Sequence, residues 1–316
     1  MNRENLETAT GRLFGQLWAP FNDDLFAESV ALFGNRLDLA GFDASWFQGK
    51  ICLDAGCGGG RNSIAMARLG ASQVKGIDLG IDGLKDARKR AESLGHENIS
   101  FDHASILDIP FDDNTFDMVW CAGVMMITDD AERALDELTR VLKPGGKLYL
   151  LVYATEGIRW PLILTLRPIA NLIGLERMEE AIEACSLPAN KRRTFLDDLF
   201  CPKLDFYDWP RLRRMLDTRE MSNIDRWADD VRLDHEHSLD CYITDLQYLE
   251  RMFRGGESLK DEVSRTLFFE AADLVGSTIR TIETARKLES VGKLPAAEVM
   301  KEIIGQGHHR VVSTKS

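Results

Sequence analysis

A glycine-rich turn between an apolar strand and a helix constrains this 316-residue chain more than any other feature. Residues Ile51–Gly60 read Ile-Cys-Leu-Asp-Ala-Gly-Cys-Gly-Gly-Gly, and the apolar residues of the following Arg61–Leu69 recur at helical spacing. Glycines suit such a turn because its backbone takes positive φ or lies flat against a ligand, which a Cβ would prevent. The first amides of the helix would face the same ligand. The sequence therefore predicts a strand, turn and helix that bind a ligand at Gly56, Gly58 and Gly60.

The acid at the head of the turn, Asp54, indicates the charge of that ligand. A dinucleotide-binding turn reads G-x-G-x-x-G and places a pyrophosphate on the helix N-terminus, where a neighbouring carboxylate would repel it. Asp54 therefore favours a ligand with positive charge and no phosphate, which argues against a nicotinamide oxidoreductase. S-adenosylmethionine meets the requirement, because it carries an ammonium, a sulfonium and a ribose diol.

A second acid ends the next apolar strand. Val74–Gly80 reads Val-Lys-Gly-Ile-Asp-Leu-Gly, and its Asp78 lies 24 positions after Asp54. In a nucleoside-binding βαβ unit, a carboxylate at the tip of the second strand can accept from both ribose hydroxyls. We therefore expect Asp78 to bind the ribose.

These motifs, with three later segments in the same order, resemble the class I S-adenosylmethionine-dependent methyltransferases of the small-molecule type. The first motif of that family is acid-x-Gly-x-Gly-x-Gly, and the later segments here are Phe101–Phe111, Phe116–Met126 and Val141–Val152. The resemblance covers residues 50–155, and more loosely residues 205–238. It implies an α/β fold with a Rossmann-like, mostly parallel seven-stranded sheet, helices on both faces, and S-adenosyl-L-methionine as cofactor.

The resemblance also implies further cofactor contacts. Leu79 follows the ribose-binding acid, Ser105 and Ile106 follow the third strand, and Cys121 ends the fourth. An acid often stands in the family where this chain has Ser105, so a main-chain contact at Ile106 is the alternative there. Arg61 could pair with the methionine carboxylate or remain a solvated residue at the start of a helix.

Methyl transfer from a sulfonium is an in-line displacement that needs alignment and exclusion of water, so no metal is expected. A base is needed only if the acceptor must lose a proton. Candidates for it are Tyr153 at the end of the fifth strand, and His235 and His237 on one face of a predicted last strand. Candidates for a lid or for acceptor contacts are Trp18, Phe21, Met126 and Arg192. Aromatic residues at helical spacing also suit a plain core, and a charge run also suits a solvated face.

The pattern of elements predicts five segments. They are an N-terminal helical lid (1–48), the cofactor-binding core (49–155), a helical cap insertion (156–205), a segment that completes the sheet with strands 221–227 and 231–237 (206–238), and a helical C-terminal extension (239–316). The apolar period of the extension allows a homo-oligomer to form through its helices.

The composition limits the kinds of molecule and the cellular location that we expect for this chain. The chain has 39 Lys and Arg against 51 Asp and Glu, which gives a net charge of −12. Neither half of the sequence is basic, so we do not expect it to bind the phosphate backbone of a nucleic acid. The most apolar segment, Trp160–Leu175, is shorter than the roughly 20 residues that span a bilayer. The N-terminus lacks the apolar core of a signal peptide, so we expect a cytoplasmic protein. Six cysteines without paired spacing imply neither a disulfide framework nor a zinc site.

The leading hypothesis is an S-adenosylmethionine-dependent methyltransferase acting on oxygen or nitrogen of a small-molecule secondary metabolite. A lipid-like or quinone acceptor is an alternative because Trp160–Leu175 is so apolar. Arsenite is another, because Cys185, Cys201 and Cys241 lie outside the cofactor-binding core. From a different class, the chain could be a cofactor-binding regulator or an inactive partner, since it has no recognisable base.

Overall fold

The computed structural model describes residues 3–18, 23–185, 187, 189–227, 239–256, 259 and 261–316. The chain divides into two compact units. The first comprises Met1–Ala154, Pro202–Leu233 and His308–Ser316, and the second comprises Thr155–Cys201 and Asp234–Gly307.

The first unit is built on a seven-stranded sheet. Its strands are β1 (Ile51–Ala55), β2 (Gln73–Asp78), β3 (Ile99–His103), β4 (Phe116–Ala122), β5 (Leu142–Tyr153), β6 (Met221–Arg226) and β7 (His308–Lys315). Their order across the sheet is β3-β2-β1-β4-β5-β7-β6. Strands β1 to β5 pair in parallel, and β7 runs antiparallel to both of its neighbours. The predicted α/β class and the mostly parallel seven-stranded sheet are confirmed.

Helices alternate with the parallel strands because a parallel connection needs a crossover. They are α3 (Arg61–Arg68), α4 (Ile81–Ser93), α5 (Ala131–Arg140) and, before β6, α9 (Trp209–Asp217). Two helices precede the sheet, α1 (Arg3–Trp18) and α2 (Asp23–Leu39), within the segment 1–48 that is predicted to be helical. The short 3₁₀ turns Ala44–Phe47 and Met125–Ile127 complete this unit.

The core on one sheet face centres on two aromatic rings of neighbouring strands. Trp120 of β4 and Tyr149 of β5 stack with ring centroids 3.6 Å apart and planes 7° apart. Phe33 of α2 packs on Trp120 at 4.4 Å, and the fully buried Leu37 belongs to the same cluster. Helix α2 therefore forms part of the core of the sheet.

The last strand differs from the sequence expectation. The sequence pattern pairs 221–227 with a strand over 231–237, whereas β6 pairs with β7 in the structure, Met221 opposite Lys315 and Arg226 opposite Val311. Residues 231–237 lie outside the described residues. The C-terminal extension, expected to be mostly helical, ends in the strand His308–Lys315. Lys315 donates to the carbonyl oxygens of Thr139 and Leu142 at 2.8 and 2.7 Å, which fixes this end of the chain beside α5.

The second unit is helical. Its helices are α6 (Arg159–Ile173), α7 (Leu175–Ala184), α8 (Ala189–Phe200), α10 (Leu239–Gly255), α11 (Glu262–Ser290) and α12 (Ala296–Val299), which continues into the π-helical turn Met300–Ile304. An ion pair joins the half-buried Arg159 to the buried Asp198 at 2.7 Å. Helices from the predicted cap insertion and from the predicted C-terminal extension thus belong to one compact unit. In the described ranges, no helix combines the length and the apolar character that a membrane span requires.

The packing of α2 can be tested with two leucines of the same helix. Leu37 is fully buried, whereas Leu32 is 46% exposed. Leu37→Ala removes buried methyl groups and leaves a cavity, so we expect it to lower the free energy of unfolding by about 2–5 kcal/mol. Leu32→Ala should change it by less than about 1 kcal/mol. Urea unfolding of both variants measures this, and equal losses would contradict the placement of α2 in the core.

Candidate functional site

The carboxyl ends of the parallel strands bring the predicted site residues to one edge of the sheet, where α/β proteins bind ligands. Asp54 lies opposite Gly76 of β2 and Trp120 of β4, and Asp78 is the last residue of β2. The turn after β1 therefore lies between the tips of β2 and β4.

The three predicted glycines of the turn all have positive φ, at +83° for Gly56, +51° for Gly58 and +80° for Gly60. A Cβ on Gly56 would lie 2.2 Å from a methyl carbon of Val124, and one on Gly60 would lie 2.9 Å from Cβ of Ala87. A Cβ on Gly58 would meet nothing within 4 Å. Gly56 and Gly60 are thus required by packing, and Gly58 lies at the open part of the turn, where a ligand can approach the backbone.

The carboxylate of Asp78 holds two loops at once. Gly58 N donates to Oδ2 at 2.8 Å, and Gly80 N donates to Oδ1 at 2.7 Å. Burial raises the pKa of Asp78, and the amides of Gly80 and Gly58 oppose that rise. Each oxygen keeps lone-pair capacity, so this carboxylate can accept from a diol while it fixes the glycine turn.

Asp54 is almost fully buried, and only one of its oxygens is bonded. Ser63 Oγ donates to Oδ2 at 2.6 Å, whereas the buried Oδ1 has no hydrogen-bond partner among the described residues. Desolvation raises the pKa of Asp54 to about 6, against the opposing effects of Ser63 and Arg61. A buried carboxylate with an unused oxygen is suited to a cationic hydrogen-bond donor.

Arg61 begins α3 directly after the turn. Burial and the charge of Arg36 lower its pKa to about 10, while Asp54 and Tyr149 oppose that shift. A desolvated guanidinium in this position favours an anion such as a carboxylate.

The loop after β3 is held in place by α5. Glu137 accepts from Ile109 N at 2.9 Å, and Arg133 donates to the Leu107 carbonyl oxygen at 3.0 Å. Ser105 and the buried Ile106 are thereby fixed beyond the end of β3, where Ala104 N donates to the Asp78 carbonyl oxygen at 3.2 Å.

The remaining predicted residues lie near the ends of β4 and β5. Cys121 is fully buried opposite Leu150, and desolvation raises its thiol pKa to about 12, so the thiol stays protonated. Met126 is buried, and its carbonyl oxygen accepts from Asp205 N at 2.7 Å. The ring of Tyr153 packs edge-on against His308 with centroids 5.4 Å apart.

Five predicted residues cannot be placed in the site. Phe21, His235 and His237 lie outside the described residues, and the side chains of Trp18 at the end of α1 and Arg192 in α8 lie outside them too. Their roles stay predictions. In the part of the chain that is described, no three His, Cys, Asp or Glu side chains are grouped as metal ligands.

Three residues with structural roles in the site were missed by the sequence reasoning. Val124 fills the space beside Gly56, Ser63 holds Asp54, and Glu7 of α1 accepts from Ser105 Oγ at 2.5 Å. Ser63 had a signal in the sequence, because it is a polar residue in the first turn of the helix after the glycines. Glu7 had none, since its partner is 98 positions away.

Comparison with known families identifies this part of the first unit. The methyltransferase domain family matches residues 53–150. The sequence of this segment is therefore that of a methyltransferase domain, in agreement with the resemblance to the class I S-adenosylmethionine-dependent methyltransferases. The family uses S-adenosylmethionine as its methyl donor, so the predicted cofactor is confirmed at the level of the family.

Three curated proteins similar to this domain are named as methyltransferases, and two of the names include a substrate. Methyltransferase GfsG of Streptomyces halstedii is 36% identical over 110 residues, 34% of this chain and 40% of its own length. The 2-phytyl-1,4-naphtoquinone methyltransferase of Nostoc is 35% identical over 138 residues, 40% of this chain and 60% of its own. Norajmaline N-methyltransferase of Rauvolfia serpentina is 34% identical over 110 residues, 34% of this chain and 38% of its own. The chain thus spans about half the length of the curated relatives that it matches.

Among solved structures, the [4+2]-cyclase SpnF matches with a TM-score of 0.47 and 18% identity, over 85% of this chain and 75% of that one.

The raised pKa of Asp54 predicts how cofactor affinity depends on pH. In the free protein its carboxyl is half-ionised near pH 6 because burial disfavours the charge. A bound ammonium would favour the ionised form, so below that pH binding must release a proton. Affinity for S-adenosylhomocysteine should therefore rise by up to about tenfold per pH unit toward pH 6 and level off above it.

Calorimetric titration between about pH 5 and pH 8 measures this dependence. Asp54→Asn keeps the shape of the side chain and should bind more weakly with a flatter pH profile. The same slope in wild type and variant would show that Asp54 is not the titrating group.

Proposed function

We propose that this chain is a methyltransferase that transfers the methyl group of S-adenosylmethionine to an oxygen or nitrogen of a small-molecule secondary metabolite. The observation that carries the proposal is a pair of acids, the buried Asp54 and the half-buried Asp78, on neighbouring strand tips around the open glycine of the turn. The match of residues 53–150 to the methyltransferase domain family supports it.

The side chains of the turn fit the cofactor group by group. The free lone pairs of Asp78 would accept from the ribose hydroxyls while its amide bonds hold the turn. The unbonded Oδ1 of Asp54 would accept from the ammonium. Arg61 would pair with the carboxylate of the methionine end, and the backbone at Gly56, Gly58 and Gly60 would line the ligand. Each charged group of the amino-acid end would thereby meet a side chain of opposite charge, the buried Asp54 or the half-buried Arg61.

The adenine and the sulfonium of the cofactor would contact the other residues that are predicted to bind it. Leu79 and the buried Ile106 offer apolar surface at the ends of β2 and β3, and Ser105 lies beside them. Cys121, buried near the end of β4, would lie beneath the cofactor. The bound cofactor supplies an electrophilic methyl group on a positively charged sulfur.

The chain itself would orient the acceptor and exclude water. Met126 and Tyr153 lie at the ends of β4 and β5 and would contact the acceptor, with Tyr153 as a candidate base. His235 and His237 remain candidate bases, and Trp18, Phe21 and Arg192 remain candidate lid or acceptor contacts. An acceptor that is already a free nucleophile would need no base.

The names of the relatives support a small organic acceptor. Two of those given above are a naphtoquinone methyltransferase and an alkaloid N-methyltransferase. A quinone with a lipid-like tail is the second candidate acceptor, because the quinone methyltransferase matches over 60% of its own length. The net charge of −12 supports small molecules over nucleic acids. A cytoplasmic location and a homo-oligomer formed through the C-terminal helices are further parts of the proposal.

The test is methyl transfer with a matched pair of acid variants. Wild-type protein incubated with methyl-labelled S-adenosylmethionine and a metabolite extract should label one or a few small molecules. Asp78→Asn removes the carboxylate that fixes the turn, so we expect at least about tenfold weaker cofactor binding and a matching loss of labelling. Asp82→Asn, an exposed acid paired with Lys85 on α4, should behave like wild type.

Two results would contradict the proposal. Wild type that binds S-adenosylhomocysteine but labels nothing, with isoprenoid naphthoquinones and arsenite added as acceptors, would favour the regulator or inactive partner. Asp78→Asn with unchanged binding would remove the assigned ribose contact.

A further inference from the structure

Helix α1 lies across the loops that follow β2 and β3. A Cβ on its Gly11 would lie only 3.1 Å from the carbonyl oxygen of Leu79, and one on Gly15 would lie 4.0 Å from Cα of Gly80. Residues four apart share one helix face, so Glu7 belongs to the same face one turn earlier. This face of α1 therefore covers the backbone directly after the Asp78 carboxylate.

Glu7 is the group through which α1 reaches the loop after β3. Ser105 Oγ donates to Glu7 Oε1 at 2.5 Å and accepts from Leu107 N at 3.0 Å. A serine has one proton to donate, and that proton is used. Ser105 thus orients the carboxylate, and Glu7 supplies the strong acceptor at this loop.

A second polar group, the hydroxyl of Thr10, lies on the same face of α1. Thr10 lies three residues after Glu7, and its Oγ1 is buried without a hydrogen-bond partner in the ranges that are described. A buried hydroxyl is normally bonded, so the hydroxyl of Thr10 is available to a ligand on this face of α1. Glu7 and Thr10 together offer an acceptor next to a group that can donate.

Their arrangement matches the edge of an adenine, which presents an amino donor beside a ring-nitrogen acceptor. The position is also consistent with the nucleoside. The loop that holds Ser105 begins at Ala104, whose amide donates to the Asp78 carbonyl oxygen, so a ribose bound at Asp78 would direct its base toward this loop.

We propose that α1 completes the base subsite, with Glu7 accepting from the exocyclic amino group of adenine and Thr10 bonding the neighbouring ring nitrogen. Glu7 is then a specificity-determining residue supplied from outside the methyltransferase domain. The inference rests on the proposed cofactor, and it adds that recognition of the base depends on a helix that precedes the sheet.

The experiment compares S-adenosylhomocysteine with its deaminated analogue, S-inosylhomocysteine, by calorimetric titration. The analogue has a carbonyl oxygen in place of the amino group, which would face the Glu7 carboxylate. Wild type should prefer the adenosyl ligand by at least about tenfold, the effect of leaving a charged acceptor unpaired. Glu7→Gln can turn its amide toward the carbonyl, so the preference should fall to within about threefold.

Two further variants serve as a control and as a second, independent test of the base subsite. Glu28→Gln changes an exposed glutamate of α2 and should keep the wild-type preference. Thr10→Val keeps the side-chain shape without the hydroxyl and should weaken the adenosyl ligand by about two- to tenfold. It does so without removing the Glu7 carboxylate, so the proposal can still be tested if Glu7→Gln does not fold.

The outcomes separate the inference from the function on which it rests. Wild type that binds neither ligand would overturn both. Adenosyl binding with a preference that Glu7→Gln and Thr10→Val leave unchanged would overturn the base subsite alone and leave the cofactor assignment standing. Loss of the preference in Glu7→Gln, with Glu28→Gln unchanged, is the expected result.

Discussion

The two amide bonds to Asp78 are the contact on which the candidate site depends. One carboxylate at the tip of β2 ties down Gly58 in the turn after β1 and Gly80 at the start of α4. Charge-assisted bonds of this kind are among the stronger ones available to a protein. They hold Gly58 in its positive-φ conformation. The same carboxylate therefore fixes the shape of the turn and provides the negative charge beside it.

The strands next to β2 supply a second buried acid, on β1, and the aromatic core of the sheet, on β4 and β5. Asp54 is buried beneath the turn with one oxygen engaged by Ser63 and the other unused, a state that costs stability unless a donor arrives. Trp120 and Tyr149 stack on one face of the sheet, and Phe33 of α2 packs on Trp120. The Asp54 oxygen that has no hydrogen-bond partner among the described residues thereby lies at the edge of the sheet where α/β proteins bind ligands.

The sequence predicts what is local and misses what is distant. Strands β1 to β5 and their helices follow from turn chemistry and apolar period, and Asp54 and Asp78 follow from their places at strand ends. Strand β7 was missed because 231–237 alternates like a strand, whereas β7 pairs with β6 only after the chain has passed through the helices from α10 to α12. Glu7 was missed for the same reason, since its contact with Ser105 joins two parts of the fold that no local pattern relates.

The most direct test of the account is a crystal structure of the full chain with S-adenosylhomocysteine. The account predicts ribose hydroxyls on the Asp78 carboxylate, the ammonium within hydrogen-bond distance of Asp54 Oδ1, and the ligand backbone against Gly58. A ligand bound away from these two acids, or a phosphate seated at Gly58 in preference to it, would contradict the central claim.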